Sequence, residues 1–505
     1  MHINIIDFFE DTLKEHSEKI AIIEKNSQIT FAELAHTSKS LAMRLVKTYN
    51  IVNKPIAVFL PKSIQAVCAD IAISYSGNMY MNLDINNPIE RIKAIIQTVK
   101  PLVVITDTKG SETLSSLHVD IINIDSVTWH NYDNDVLLQR LSQLIDTDPL
   151  CIINTSGSTG TPKSVVLNHR SYIDYTQWAI GEFQFTDKEI LGVLSPIIFD
   201  HYNFEISLMM TKGVTLVLLN NNFAAFPAKI LEELVKHKVT FIFWVPAIMV
   251  NIANMNILDK FDLSSLKMVW FAGEVFPTKQ FNKWRKVLPN TCFVNLYGPV
   301  ETTVDCTYYV VNRELSDEES IPIGNACRNT NVLILDDNNH LITQKGIEGE
   351  LCVRGASLAM GYYNNPEKTS ITFVQNPLNT SYPETIYRTG DIVYINQYKE
   401  IVFKGRKDSL IKHMGYRIEL GEIEHNIVNS IPEVKQVCVV YNFQSKEIVL
   451  FYESDKEIPV SDFRKNLLKV LPKYMLPIHF YREQQLKRNA NEKIDRLFYL
   501  KKISE

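Results

Sequence analysis

Between the apolar runs Leu150-Cys151-Ile152-Ile153 and Val165-Val166-Leu167 lies the stretch Asn154-Thr155-Ser156-Gly157-Ser158-Thr159-Gly160-Thr161-Pro162-Lys163. Hydroxyls, glycines and a lysine concentrated in one loop suit a polyanion. Glycines let backbone N–H groups approach phosphate oxygens, hydroxyls add donors, and lysine supplies a mobile charge. Ser/Thr/Gly-rich loops are also ordinary solvated turns. The Walker pattern is not met, because Thr161-Pro162 separates Gly160 from Lys163. A lysine that follows a proline points to a hairpin over phosphates, not a helix-terminus cradle. Other charged residues read plainly when taken singly. Glu301 can cap a turn, Asp391 after Gly390 fits a β-turn, Asp200 can cap a helix starting near Tyr202, and Lys493 sits in a charged tail.

The elements around these residues alternate. Residues 1–150 read as helices (Ile5 to His16, Phe31 to Val46, Ile64 to Tyr75, Ile89 to Lys100) interleaved with short buried strands (Ile56 to Leu60, Leu102 to Thr106). The rhythm continues through the helix His169 to Phe183 and the strands Val214 to Leu219, Val239 to Phe243, Met268 to Ala272 and Cys292 to Leu296. Such alternation predicts an α/β fold of mostly parallel sheets covered by helices. From about 324 to 407 shorter strands and turns predict a β-rich subdomain. Residues 408–505 hold a helix, two strands and a further helix, enough for a small α+β domain. The expected organisation is therefore a large N-terminal domain, 1–407, and a small mobile C-terminal domain, 408–505.

At 505 residues two or more domains are expected. A net charge of −5 gives no basic excess for nucleic acid. The apolar runs are broken before the ~18–20 residues a membrane span needs, and the N-terminus lacks a signal-peptide pattern. Seven scattered cysteines, none in C-x-x-C, suit reduced thiols in a cytoplasmic protein.

Seven further stretches matter as a set: Asn295-Leu296-Tyr297-Gly298-Pro299-Val300-Glu301-Thr302-Thr303; Gly349-Glu350-Leu351 with Gly361-Tyr362-Tyr363; Tyr387-Arg388-Thr389-Gly390-Asp391; Gly405-Arg406-Lys407-Asp408; Gly415 to Glu424; Leu471 to Pro477; and Asn491-Glu492-Lys493-Ile494-Asp495-Arg496. With the 154–163 loop, they resemble, in order, the motifs of the adenylate-forming enzymes: acyl-CoA ligases, luciferases and the adenylation domains of non-ribosomal peptide synthesis. The resemblance implies ATP and Mg²⁺. It assigns Thr155, Ser156, Gly157, Ser158, Thr159, Gly160 and Lys163 to the β- and γ-phosphates, and Glu301 to Mg²⁺. Tyr297 would stack on adenine with Asn295 at its amino group, and Gly298 and Thr302 would complete that side. Asp391 would bond the ribose hydroxyls with Arg406 nearby. Lys493 would reach the carboxylate and α-phosphate oxygens as charge develops. Catalysis is thus expected of Lys493, Thr155 and Glu301. Asp408 matches the family's hinge, and the Gly415 region its thiolation element. Two positions depart from the pattern: Ser164 and Glu492 stand where the family has glycine, and Glu492 sets a carboxylate beside the lysine.

The segment Phe199-Asp200-His201-Tyr202-Asn203-Phe204-Glu205 resembles the one whose aspartate meets an amino acid's α-ammonium, whereas acyl- or aryl-CoA ligases have no cation there. The resemblance places His201, Phe204, Trp244, Trp270, Ala272, Gly273, Leu296, Val304 and Asp305 around the side-chain pocket. Bulky Phe204, Trp244 and Trp270 favour a small substrate such as alanine, glycine or serine. Asp305 would instead recognise a basic side chain, or pair with His201. The chain is similar to free-standing D-alanine–carrier protein ligases. The expected reaction is amino-acid adenylation followed by transfer to the phosphopantetheine thiol of a separate carrier protein. A monomer is expected, with neither nucleic-acid nor membrane partners. An acyl- or aryl-CoA ligase is the alternative.

Overall fold

A computed structural model describes residues 2–503 apart from 128–130, 157–161, 221–222, 224–225, 408–409 and 489–493. The expected Gly157, Ser158, Thr159, Gly160, Asp408, Glu492 and Lys493 therefore lie outside the described residues. The chain divides into two units. One comprises 1–84, 101–153 and 165–407; the other comprises 85–100, 154–164 and 408–505.

The first unit is α/β, as the alternation predicts. Its nine-stranded sheet carries at its centre the parallel strands Ile190–Val193, Phe241–Trp244, Met268–Phe271 and Cys292–Tyr297. A seven-stranded sheet contains the parallel neighbours Pro55–Phe59, Met79–Asn82 and Val104–Thr106. Pro55–Phe59 is buried at every residue, as a strand covered on both faces must be. The helices His169–Phe183 and Ile64–Tyr75 span the residues their periodicity predicts. Side-chain oxygens of Asn168 and Ser63 cap their first turns. A five-stranded, largely antiparallel sheet is built from Thr330–Leu335, Glu348–Gly355, Phe373–Gln375, Thr385–Ile395 and Ile401–Arg406.

In the second unit the helix Leu420–Ser430 and the strands Gln436–Asn442, Glu447–Glu453 and His479–Glu483 surround a core that includes Ile423, Ile427, Val439, Leu450, Phe463 and Leu467. A separate hairpin pairs Leu410–His413 with Tyr416–Glu419. Its turn residues, Met414 and Gly415, both have positive φ, at 53° and 81°. That is the geometry a two-residue hairpin turn requires, and glycine adopts it without a Cβ penalty.

Helices and sheet of the first unit also enclose a polar cluster. Asp70 accepts hydrogen bonds from Asn82 Nδ2 (3.1 Å) and the Tyr202 hydroxyl (3.2 Å), and Asn203 Nδ2 donates to the Tyr172 hydroxyl (3.2 Å). Burial pushes the Asp70 carboxyl up to about 7. Its folded value lies above the ~3.9 of an unfolded chain. The stability it contributes is thus complete below pH ~4 and is lost as pH rises through about 7. Asp70→Asn is expected to flatten the fall of Tm between pH 4 and 7, measured by thermal unfolding across that range.

Candidate active site

Two groups of predicted residues assemble, one within each unit. In the first unit, the group predicted for the nucleotide starts from Asp391 on the strand Thr385–Ile395. Gly390, at φ 71°, turns the backbone there. Thr389 clamps the turn: its hydroxyl donates to Leu351 O (2.7 Å) and accepts from Asp391 N–H (2.9 Å). Glu350 accepts from Gly390 N–H (3.1 Å) and from Arg388 (2.9 Å). The Glu350-Leu351 and Arg388-Thr389-Gly390 motifs are thus the mount on which Asp391 stands. Asp391 itself is 4% exposed, accepts from the Tyr297 hydroxyl and pairs with Arg406, which also donates to Thr389 O (2.9 Å). Burial and the adjoining Asp391 carboxylate hold the Tyr297 phenol well above its ordinary value, so it remains a donor. Asn295 uses its amide nitrogen on Pro322 O (2.7 Å).

Glu301 is fully buried in the short helical turn Val300–Thr302. The Tyr362 hydroxyl donates to its Oε1 (2.7 Å). Tyr362 reaches it from the strand Gly361–Tyr362, which pairs with Val165 and Val166. Thr303 and Val304, immediately after this turn, both hold positive φ (52° and 64°). That is rare for β-branched residues and marks stored backbone strain. Gly298 is required by the same bend, since a Cβ there would lie 2.5 Å from Asp305 Cα.

The residues predicted for the amino-acid side include a buried aromatic cluster. Phe204 stacks on Trp270 (centroids 5.4 Å, planes 8° apart) and meets Tyr175 edge-on at 5.1 Å. Ala272, Leu296 and Val304 belong to the same buried cluster. The helix starts at Asp200 itself, with Phe199 in the cap position, so Asp200 sits in the first turn and not ahead of it. It is 7% exposed, and its Oδ1 accepts His201 N–H (3.0 Å). The Tyr175 hydroxyl donates to Asp305 Oδ2 (2.9 Å). The His201 ring packs on Phe243 at 4.2 Å. Gly273 follows at φ 92°.

One predicted wall residue faces elsewhere. Trp244 belongs to the hydrophobic cluster on the opposite sheet face, and its indole N–H donates to Gly192 O (2.9 Å). Its neighbour Phe243 points to the aromatic wall, 5.5 Å from Trp270 and 6.1 Å from Phe204. Successive strand residues alternate faces, so placing the wall one residue late exchanges the two sides. The period-2 pattern, with Trp270 as reference, is the signal that identifies Phe243.

The second group lies in the other unit. Thr155 ends the strand Pro149–Thr155 with a buried hydroxyl that has no hydrogen-bond partner among the described residues. Ser156 and Lys163 meet the hairpin strand Tyr416–Glu419. The Ser156 hydroxyl donates to Arg417 O (2.6 Å) and accepts Glu419 N–H (3.0 Å), and Lys163 pairs with Glu419. Ser164, where the family pattern has glycine, donates to Asn154 Oδ1 (2.8 Å) and ties the two ends of the loop together. All seven cysteines are free thiols. Burial pushes Cys306, nearest the strained turn, up to about 12, which keeps it a thiol rather than a nucleophile.

Comparison with known proteins fits this geometry. The family model of the AMP-binding enzymes matches residues 9–363. Over 501 residues the chain is 31% identical to zwittermicin A synthase ZmaJ of Bacillus cereus, covering 97% of this chain and 93% of that protein. It is 27% identical to the L-proline–[L-prolyl-carrier protein] ligase of Streptomyces coelicolor, covering 97% and 95%. Against gramicidin S synthase 2 of Brevibacillus brevis the identity is 31%, but the match takes in only 11% of that larger protein. Among solved structures, the Vibrio cholerae adenylation domain AlmE, bound to glycyl-adenosine-5'-phosphate, superposes with a TM-score of 0.86 at 21% identity, covering 100% of this chain and 98% of that one. The chain belongs to the AMP-binding enzyme family and is an adenylate-forming ligase, as its motif order implies.

Proposed function

We propose that the protein activates a small amino acid as its aminoacyl-AMP and transfers it to the phosphopantetheine thiol of a carrier protein. The observation that carries the amino-acid reading is the buried Asp200 at the head of the helix that also supplies Phe204. Asp200 lies in the segment that resembles the one whose aspartate meets an amino acid's α-ammonium, and a carboxylate there can form a charge-assisted hydrogen bond to that group. The helix N-terminus favours the same charge, but by only about 0.3–1 kcal/mol. The stacked Phe204–Trp270 wall favours an alanine-, glycine- or serine-sized side chain. The carrier-protein half of the reading is supported by the relatives whose names specify such partners.

In the first step a substrate carboxylate oxygen attacks the α-phosphorus of ATP, and the bond to pyrophosphate breaks. Thr155, Ser156, Thr159 and Lys163 would hold the departing phosphates, Asp391 the ribose, and Tyr297 with Asn295 the adenine. Lys493 would neutralise charge on the α-phosphate. Glu301 is buried and oriented by Tyr362, and no cluster of three acidic, histidine or cysteine ligands occurs among the described residues. A single protein carboxylate of this kind fits a Mg²⁺ that arrives already held by nucleotide phosphates. Once bound, the ion would neutralise charge on the leaving group. In the second step the thiol sulfur attacks the carbonyl carbon and AMP leaves. Rotation of residues 408–505 about Asp408 would exchange Lys493 for the Gly415 hairpin between steps. We place the protein in the cytoplasm, consistent with its free thiols; no described helix is long and apolar enough to cross a membrane.

Pyrophosphate exchange over a panel of D- and L-amino acids tests the reading. Exchange with one small amino acid is the expected outcome. A silent panel together with turnover of fatty or aryl acids and CoA would overturn it.

A further inference from the structure

Ser156 and Lys163, both assigned to nucleotide phosphates, are engaged within their own unit by protein groups. The Ser156 hydroxyl uses its proton on Arg417 O and a lone pair on Glu419 N–H, while Lys163 pairs with the Glu419 carboxylate. Side chains of the ion pair are each 11% exposed, so water screens it little. Arg91 and Glu422 form a second, more deeply buried pair within this unit, anchoring the helix that begins where the hairpin strand ends. Glu419 is therefore flanked by two anchors, the loop at Arg417 and the helix Ile89–Val99 at Glu422.

Building on the proposed function, we propose that Glu419 is the chain's own stand-in for a nucleotide phosphate. It competes with ATP and pyrophosphate for Lys163, so that loss of pyrophosphate hands the lysine to Glu419 and seats the hairpin for the thiol step. One lysine cannot serve a carboxylate and a phosphate oxygen at full strength in a site this enclosed. A phosphate that enters must displace the carboxylate, and one that leaves lets it return. The apparent affinity for phosphate ligands is reduced by the fraction of molecules in which Lys163 is held by Glu419. Glu419 is a positioning residue here, acting through Lys163.

The test compares Glu419→Gln with wild type. Glutamine keeps the backbone N–H that binds Ser156 and removes only the charge. Titration with ATP and with inorganic pyrophosphate, followed by tryptophan fluorescence, is expected to show about tenfold tighter binding of both, as for a competing state populated about nine times in ten. Aminoacyl transfer from pre-formed adenylate to a phosphopantetheinylated carrier is expected to fall. Glu419→Ala should act in the same direction, which guards against an effect of the introduced amide. Unchanged or weaker binding of both ligands in both variants would overturn the inference. The binding arm needs neither substrate nor turnover. It therefore remains readable even where the amino-acid panel is silent, and the two readings fail separately.

Discussion

Replacing Asp200 with alanine is expected to lower kcat/KM for amino-acid-dependent pyrophosphate exchange by about a thousandfold. Removing one partner of a buried ion pair costs ~3–5 kcal/mol, because the remaining charge stays desolvated, and ~4 kcal/mol corresponds to about that factor. The stranded charge would be the substrate's ammonium, so the loss should appear mainly in substrate use. ATP binding should persist, because Asp391, Tyr297 and Arg406 are held by contacts that do not involve Asp200. The variant should also fold, since the helix Asp200–Lys212 has Phe199 and not Asp200 in its cap position, and ends on Gly213 at φ 67°. Measuring exchange and ATP titration on the same preparation separates the outcomes. Full retention of exchange would remove the amino-acid reading and leave the CoA-ligase alternative.

The second large effect is expected of Lys493→Ala. Adenylate formation should fall by about a hundred- to a thousandfold, the scale for losing one charge-stabilising donor from a transition state. Thioester formation from supplied aminoacyl-adenylate should change little, because in the proposed second step the Gly415 hairpin has replaced Lys493 at the reacting centre. Single-turnover assays of each half-reaction read this split. Equal loss in both would count against an exchange of elements between the two steps. Glu419→Gln is expected to show the opposite pattern, with tighter phosphate binding and weaker transfer, so the two variants check one another.

The motif order was legible along most of the chain because each motif is a local necessity. Gly390 turns the strand before Asp391, Gly298 makes room for the backbone of Asp305, and the Glu350-Leu351 pair mounts Thr389 and Gly390. Helix limits such as Ile64–Tyr75 were legible for the same reason, with Ser63 supplying the cap. Trp244 was misplaced because resemblance fixes neighbourhood but not strand parity, and a one-residue offset exchanges Phe243 for Trp244. The role of Tyr175 was invisible. It lies 130 positions from Asp305, on a helix whose periodicity reports burial and not which carboxylate its hydroxyl meets.

By itself, then, the sequence determined the α/β class, the adenylate-forming motifs and the chemistry those motifs can carry. These depend on residue types at short spacing, where backbone geometry leaves few choices. Only the tertiary structure decided which partners meet over long separations. It set Tyr297 and Arg406 on Asp391, Tyr362 on Glu301, Tyr175 on Asp305 and Glu419 on Lys163. The physical reason is that a hydroxyl or a charge has a range of a few ångströms and no memory of chain distance. Its partner is fixed by how sheets and helices pack, which no local pattern records.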